Sequence, residues 1–194
     1  MPSGPLAHIC FLVADLDRAI EDWRKILGVL DPGQLEEPVV RYDRFTAGED
    51  EMAWATFVSR HGAEIQLLCP LNDGPLGRRL AKHGEGVHHI AFVTGELEQD
   101  MERLVAEGVE VTSTELQQDP LLPWQHWTFI SPKSSHGLLV EVARPYEAID
   151  GRWEPGTVEK AGRRDAGEAG ARGRGEAGGS AEGSGDGREG GGSA

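Results

Sequence analysis

The 194-residue chain has only two cysteines, and none of its apolar runs is long enough to span a bilayer. Two cysteines cannot form a disulfide framework, which fits a reducing compartment. The N-terminus also lacks the charged and then apolar pattern of a secretion signal. These absences predict a soluble cytoplasmic protein.

Basic residues are scarce as well, since 19 Lys and Arg stand against 33 Asp and Glu, for a formal net charge of −14. Nucleic acid and anionic membrane both require a basic face, so neither is an expected partner. The sequence has no glycine-rich phosphate loop before a helix and no nucleophile elbow. The expected partner is therefore a small-molecule substrate.

The C-terminal segment, residues 151–194, has almost nothing apolar and holds 15 of the chain's 27 glycines. Such a segment cannot bury enough surface to offset the entropy lost on ordering. We therefore predict a disordered tail at 151–194, rich in Gly, Ala, Glu and Arg. The folded domain is predicted at 1–150, which is long enough for one hydrophobic core.

The folded part contains two copies of one pattern, predicted as modules at residues 6–72 and 86–146. Each copy begins with an apolar strand, continues with an amphipathic helix and closes with further strands. The helices are predicted to end at Gly28 and Gly108, because glycine tolerates the left-handed turn that follows a helix. With a strand at 109–114 in the second copy, each module has four strands. The pattern predicts an α+β fold with a curved, open, eight-stranded sheet and helices outside.

Polar side chains recur at equivalent strand positions of the two copies: His8, Gln66, His89 and Glu141. Alternate side chains of a strand share a face, so these four can point into one concave surface. Two imidazoles, an amide oxygen and a carboxylate suit a divalent metal ion such as Co, Ni, Mn, Zn or Fe. The alternative is that the two histidines only cap strands and that Gln66 and Glu141 lie on a solvent-exposed face. The duplication of the positions favours a metal site. His88 is expected to point to the opposite face, in a structural role.

The sequence resembles the vicinal oxygen chelate superfamily of glyoxalases, bleomycin-resistance proteins and extradiol dioxygenases. The resemblance spans roughly residues 6 to 146, and within the superfamily it is greatest to the methylmalonyl-CoA epimerases. The stretches that carry the epimerase resemblance are 70–73, 80–92 and 131–141. The resemblance implies a pair of βαβββ modules curved around a metal ion, and a homodimer.

In epimerases of this type, the metal ion chelates a carboxylate and a thioester carbonyl and stabilises the enolate formed when the proton between them leaves. The family's last-strand glutamate matches Glu141, which would act on one face of the enolate. Residues 52–58 contain no carboxylate to match the glutamate that serves the other face in bacterial relatives. The alternatives for that role are Asp43, Tyr42 and His126.

Other side chains are candidates for the substrate pocket. His126 lies on a predicted strand among aromatic residues and is a candidate catalytic residue facing the cavity. Trp54, Trp124 and Trp127 would favour a ligand with a flat or bulky apolar part, although core packing is the alternative. Lys133, in a Ser-Pro-Lys turn, matches the epimerase pattern, or is simply an exposed turn lysine.

Three functions compete. The first is a metal-dependent epimerase or isomerase of a methylmalonyl-CoA-like 1,3-dicarbonyl substrate. The second is a non-haem iron oxygenase or metal-dependent lyase for an aromatic or secondary-metabolite substrate, which the Trp-rich strands favour and a fourth protein donor at Gln66 opposes. The third is a drug-binding resistance protein, which the complete set of four donors opposes.

Overall fold

The computed structural model describes residues 6–60 and 62–157. The predicted tail beyond residue 157 lies outside the described residues. No helix in the described part is both long and apolar enough to cross a bilayer.

Among the described residues, eight strands form one mixed sheet and two more form a separate hairpin. The strands are β1 (Leu6–Leu12), β2 (Val40–Ala47), β3 (Asp50–Phe57), β4 (Glu64–Pro70), β5 (Gly86–Val93), β6 (Gln117–Gln118), β7 (His126–Ile130), β8 (Leu139–Ala143), β9 (Tyr146–Ile149) and β10 (Arg152–Pro155). The order across the sheet is β2-β3-β4-β1-β5-β8-β7-β6, with one half of the sheet from each half of the chain. The predicted α+β fold with an eight-stranded sheet is confirmed.

The two halves of the sheet meet along β1 and β5, which run antiparallel. Within the halves, β4 lies parallel to β1 and β8 lies parallel to β5. The four strands that carry the predicted ligands are therefore adjacent at the centre of the sheet.

Three α-helices and a short 3-10 helix complete the fold: α1 (Leu16–Leu30), the 3-10 helix (Pro32–Leu35), α2 (Pro75–His83) and α3 (Leu97–Ala106). Asp15 caps α1, where its side chain accepts a hydrogen bond from the Arg18 N–H at 3.0 Å. The predicted end at Gly28 is wrong, because the Asp31 N–H donates to the Leu27 carbonyl and closes one more turn. Gly108 follows α3 with a φ of +83°, as expected for the turn after a helix.

The helices α1 and α3 cover the outer face of the sheet. Leu16, Ile20 and Leu27 of α1 pack on the outward side chains of β3 and β4, including the fully buried Leu67. Burying one such leucine stabilises the fold by about 1.5–3 kcal/mol. Because the outer face carries this core, the concave face is left to form a cavity.

The predicted strand at 109–114 is wrong, since Val111 forms only an isolated bridge to Ile130. Val111 packs under α3, and this segment keeps only scattered backbone bonds to β7, such as Thr112 N–H to the Phe129 carbonyl. The eighth strand of the sheet is instead Gln117–Gln118.

The predicted domain boundary at residue 150 is also too early, because β9 and β10 form a hairpin that reaches Pro155. Trp153 supplies the apolar surface that an otherwise polar segment lacks, and it is buried against Val40 and Val58. This hairpin forms part of the cavity wall.

Candidate metal centre

The concave face of the sheet encloses a cavity of about 300 Å³. All four predicted ligands line it: His8, Gln66, His89 and Glu141. The duplicated positions of the sequence therefore open into one space.

Strand register explains this convergence. Cys10 of β1 pairs with both Gln66 of β4 and His89 of β5. Ala91 of β5 pairs with both His8 of β1 and Glu141 of β8. The four side chains consequently lie within two residues of one another along four neighbouring strands.

Three donor atoms lie close together. The Nε2 atom of His8 is 3.0 Å from the Nε2 atom of His89, which is 3.1 Å from the Oε2 atom of Glu141. Two ligands bound at right angles, about 2.1 Å from one ion, are about 3.0 Å apart. The spacing of these atoms thus fits a shared cation, and Gln66 lines the same cavity as a further oxygen donor.

The protonation states of His8 and Glu141 also fit a cation, whereas His89 would first have to lose a proton. Burial lowers the pKa of His8 to about 4, so its imidazole is neutral at pH 7 and keeps a lone pair for a metal. Burial alone would lower the pKa of His89, but Cys10 and Glu141 outweigh it and raise that pKa. Burial would likewise raise the pKa of Glu141, but the hydrogen bond and charge of His89 hold it below its usual range. His89 and Glu141 therefore form a buried ion pair, and binding of a divalent cation at His89 would be coupled to loss of its proton.

Each histidine is also held through its second ring nitrogen. The Nδ1 atom of His8 lies 2.7 Å from the hydroxyl of Tyr146. The Nδ1 atom of His89 lies 2.8 Å from the Nδ1 atom of His88. Such partners fix the ring orientation of a metal ligand and leave Nε2 facing the site.

The expectation that His88 points away from the site is wrong. Cys10 pairs with His89 and Phe11 pairs with Val87, so His88 is the extra residue of a β-bulge. The bulge breaks the alternation of side chains, and His88 lines the cavity beside His89. Burial lowers the pKa of His88 to about 4, which leaves it neutral and able to accept a hydrogen bond.

A second cluster, Cys10 with His88 and His89, shares one residue with the first. A neutral imidazole offers one lone pair, so His89 can serve only one of the two clusters. The cluster with His8 and Glu141 opens into the cavity, whereas Cys10 is fully buried and does not line it. The first cluster is therefore the better metal site.

Aromatic side chains form much of the remaining wall of the cavity. Trp54, Trp124 and Trp127 line the cavity, and Trp153 of the C-terminal hairpin joins them. Trp54 stacks between Tyr42 and Trp153, with ring centroids 4.5 and 6.3 Å away. In the described part of the chain, no Lys or Arg lines the cavity.

Two residues predicted for the site lie elsewhere. Trp127 and Phe129 of β7 line the cavity, so His126 falls on the other face by alternation, with its Nδ1 atom 3.2 Å from the Trp124 carbonyl. Lys133 lies in an exposed turn, where its Nζ atom is 3.1 Å from Glu110 Oε1. The catalytic role expected of His126 and the pocket role expected of Lys133 are not supported by these positions.

Asp43 and Tyr42, the other residues considered for the second face of the enolate, also lie outside the cavity. The Asp43 side chain is 80% exposed and pairs with Arg41. Tyr42 packs behind Trp54 without lining the cavity.

Sequence reasoning missed Glu64 and Tyr146. Glu64 is only 2% exposed and lies beside the Tyr146 hydroxyl, and burial raises the pKa of its carboxyl group to about 8. A signal existed, because Glu64 stands two residues before Gln66 on one strand and so shares its face. Tyr146 gave no comparable signal, since it follows the last strand of the repeat.

The chain belongs to the glyoxalase/bleomycin resistance protein/dioxygenase superfamily, whose model matches residues 7–120. The Cereibacter sphaeroides ethylmalonyl-CoA/methylmalonyl-CoA epimerase is 27% identical over 146 residues, covering 72% of this chain and 96% of that protein.

Solved structures of methylmalonyl-CoA epimerases are also similar. The Mycobacterium tuberculosis enzyme is 26% identical, with a TM-score of 0.57, and the match covers 75% of this chain and 91% of that one. A Streptomyces coelicolor variant in complex with 2-nitronate-propionyl-CoA is 29% identical, with a TM-score of 0.55 and coverage of 73% and 94%.

Proposed function

We propose that the chain is a divalent-metal-dependent epimerase or isomerase that removes and returns the proton between the two carbonyl groups of a methylmalonyl-CoA-like substrate. The observation that carries this proposal is the convergence of two imidazoles, an amide and a carboxylate on one apolar cavity. The similarity to methylmalonyl-CoA epimerases supports the reaction class.

Four residues would hold the cation: His8, Gln66, His89 and Glu141. The cation would supply Lewis-acid stabilisation of negative charge on the substrate's oxygens. The protein contributes the neutral His8 imidazole, the ionised Glu141 carboxylate and the fixed orientation of both rings.

Glu141 would take up the substrate proton on one face. It is ionised, it contacts His89, and it projects into the cavity. The apolar aromatic wall lowers the local dielectric constant, which strengthens the electrostatic interactions along it. Asp50 and Asp119 also line the cavity, but Asp50 accepts a hydrogen bond from the Leu76 N–H of α2 and Asp119 accepts one from the Leu121 N–H. Proton removal by Glu141 is thus the step that the geometry supports most directly.

The CoA part would bind outside the apolar cavity, which offers no cation to its phosphates. Helix α2 extends Leu76 into the cavity and carries Arg78, Arg79 and Lys82 beyond it. We assign the phosphates to this basic stretch.

The homodimer that the family resemblance implies stays a prediction, and sedimentation equilibrium would measure the oligomeric state.

Methylmalonyl-CoA in D₂O tests the proposal, with deuterium at the α-carbon and inversion of configuration measured separately. The Co²⁺-loaded protein should catalyse α-deuteration, and the Glu141→Gln variant should lose it. His126→Ala is the matched control and should retain wild-type exchange, because His126 lies outside the cavity. Absence of exchange with Co²⁺, Ni²⁺, Mn²⁺, Zn²⁺ or Fe²⁺ would contradict the proposal.

The aromatic wall favours a second candidate, an oxygenase or lyase for an aromatic substrate. Trp54, Trp124, Trp127 and Trp153 suit a flat ligand better than a methyl group. Oxygen consumption by the Fe²⁺-loaded protein with catechol-type substrates, in the absence of α-deuteration, would favour this function.

A further inference from the structure

We infer that Tyr146 and Glu64 form a buried positioning relay that turns the His8 imidazole toward the metal site. This inference rests on the metal site of the proposed function. It concerns two residues that are not themselves ligands and that belong to different parts of the chain, the start of β4 and the C-terminal hairpin.

The relay consists of a hydrogen bond behind His8 and a buried carboxyl group behind that bond. The Tyr146 hydroxyl lies 2.7 Å from the Nδ1 atom of His8, and the Glu64 carboxyl group is its neighbour on the other side. Tyr146 is held in place by Trp153, whose ring centroid is 4.8 Å from its own in an edge-on arrangement. The hairpin β9–β10 therefore fixes the position of the hydroxyl.

The direction of the hydrogen bonds follows from the chemistry of a ligand. A neutral imidazole that binds a metal through Nε2 must carry its proton on Nδ1. That N–H then donates to the Tyr146 oxygen, and the single Tyr146 proton is left to donate to Glu64. The relay thus selects the tautomer of His8 whose Nε2 lone pair faces His89 and Glu141.

Burial of Glu64 argues for a specific role. Its side chain is 2% exposed, and its Oε2 atom has no hydrogen-bond partner in the described part of the chain. An incompletely paired buried carboxyl group lowers stability compared with an apolar residue at the same place. The equivalent position of the second copy, two residues before Glu141, is the apolar Leu139, so the strand itself does not require an acid there.

The test is a competition titration of Zn²⁺ against a chromophoric chelator, with no substrate present. Tyr146→Phe should weaken Zn²⁺ affinity about 10- to 100-fold, as expected for loss of an outer partner of a ligating histidine. Tyr42→Phe is the matched control, since Tyr42 is the only other tyrosine of the chain and packs behind Trp54. It should bind Zn²⁺ like the wild type, and wild-type affinity in Tyr146→Phe would overturn the inference.

Two further measurements cover the case in which Tyr146→Phe does not fold. Glu64→Gln keeps the shape and a neutral acceptor, and it should weaken Zn²⁺ affinity by a smaller factor than Tyr146→Phe. In the ¹⁵N spectrum of the Zn²⁺-loaded wild type, His8 should be the Nδ1–H tautomer, and an Nε2–H tautomer would overturn the inference.

The two proposals fail in different ways. Wild-type protein that bound no divalent cation would overturn both. If Zn²⁺ affinity depended on Tyr146 but the protein left methylmalonyl-CoA unchanged, only the proposed reaction would be overturned.

Discussion

The two halves of the sheet supply matching ligands but support them differently. His8 of the first half is backed by the Tyr146 hydroxyl of the C-terminal hairpin and by the Glu64 carboxyl group of β4. In the second half, the neighbouring His88, displaced by a bulge, stands behind His89. The repeat thus determines where the ligands lie, whereas the groups that orient them are particular to each half.

The outer layers differ as well. Helix α1 covers a cluster of nine buried residues, which includes Leu67, whereas α3 covers a cluster of three, which includes Leu97. The first half therefore carries the larger apolar core, and the second half contributes more of the aromatic cavity wall.

The largest effect is expected at the residue where both halves meet. His89→Ala removes the Nε2 atom that lies 3.0 Å from His8 Nε2 and 3.1 Å from Glu141 Oε2. Because a ligand is lost, Zn²⁺ affinity should fall by more than about 100-fold, which exceeds the loss expected when only a hydrogen-bond partner of a ligand is removed. Isothermal titration measures this. His83→Ala, at the exposed end of α2, is the control, and equal losses in both variants would mean that His89 is no ligand.

The next prediction compares the two cores. Leu67→Ala should lower the free energy of unfolding by about 3–5 kcal/mol and Leu97→Ala by about 2–3 kcal/mol, because the smaller cluster under α3 can relax more easily around a cavity. Urea unfolding measures both values. A larger loss at Leu97 would show that the second half carries the main core.

A smaller effect is expected when the support of His89 is removed. His88→Leu removes the atom that accepts a hydrogen bond from the His89 Nδ1–H, so Zn²⁺ affinity should fall about tenfold. The loss should be smaller than in Tyr146→Phe, because the edge of the Phe129 ring, with its centroid 5.7 Å from that of His89, also helps to hold the His89 ring. A larger loss of Zn²⁺ affinity in His88→Leu than in Tyr146→Phe would mean that the support of His89 matters more than the support of His8.

The smallest effect concerns Asp119, which lines the cavity and is only 8% exposed. Burial raises the pKa of Asp119 above its value in the unfolded chain. Above the ordinary titration range of aspartate, the buried Asp119 charge therefore lowers the stability of the folded state, whereas the protonated side chain carries no such cost. Asp119→Asn should therefore raise the free energy of unfolding at pH 7 by less than about 1 kcal/mol. The gain should shrink as the pH falls toward the ordinary aspartate value, and a gain independent of pH would contradict the assignment.

Sequence patterns revealed the ligands because His8 and His89 lie near the starts of equivalent strands, and Gln66 and Glu141 each stand four residues before a proline in equivalent later strands. Alternation failed at His88, where a bulge adds one residue to β5, since bulges leave no mark on hydrophobic periodicity. It also failed at His126, where the phase of β7 depends on its pairing with β8. Tyr146 and Trp153 could not be placed, because their hairpin lies outside the repeat and is positioned only by tertiary packing.

X-ray absorption at the zinc edge of the Zn²⁺-loaded protein tests the central claim most directly. The account predicts one ion per chain, with two imidazole nitrogens and further oxygen ligands at about 2.0–2.2 Å. A shell without imidazole scattering, or with sulfur from Cys10, would contradict it.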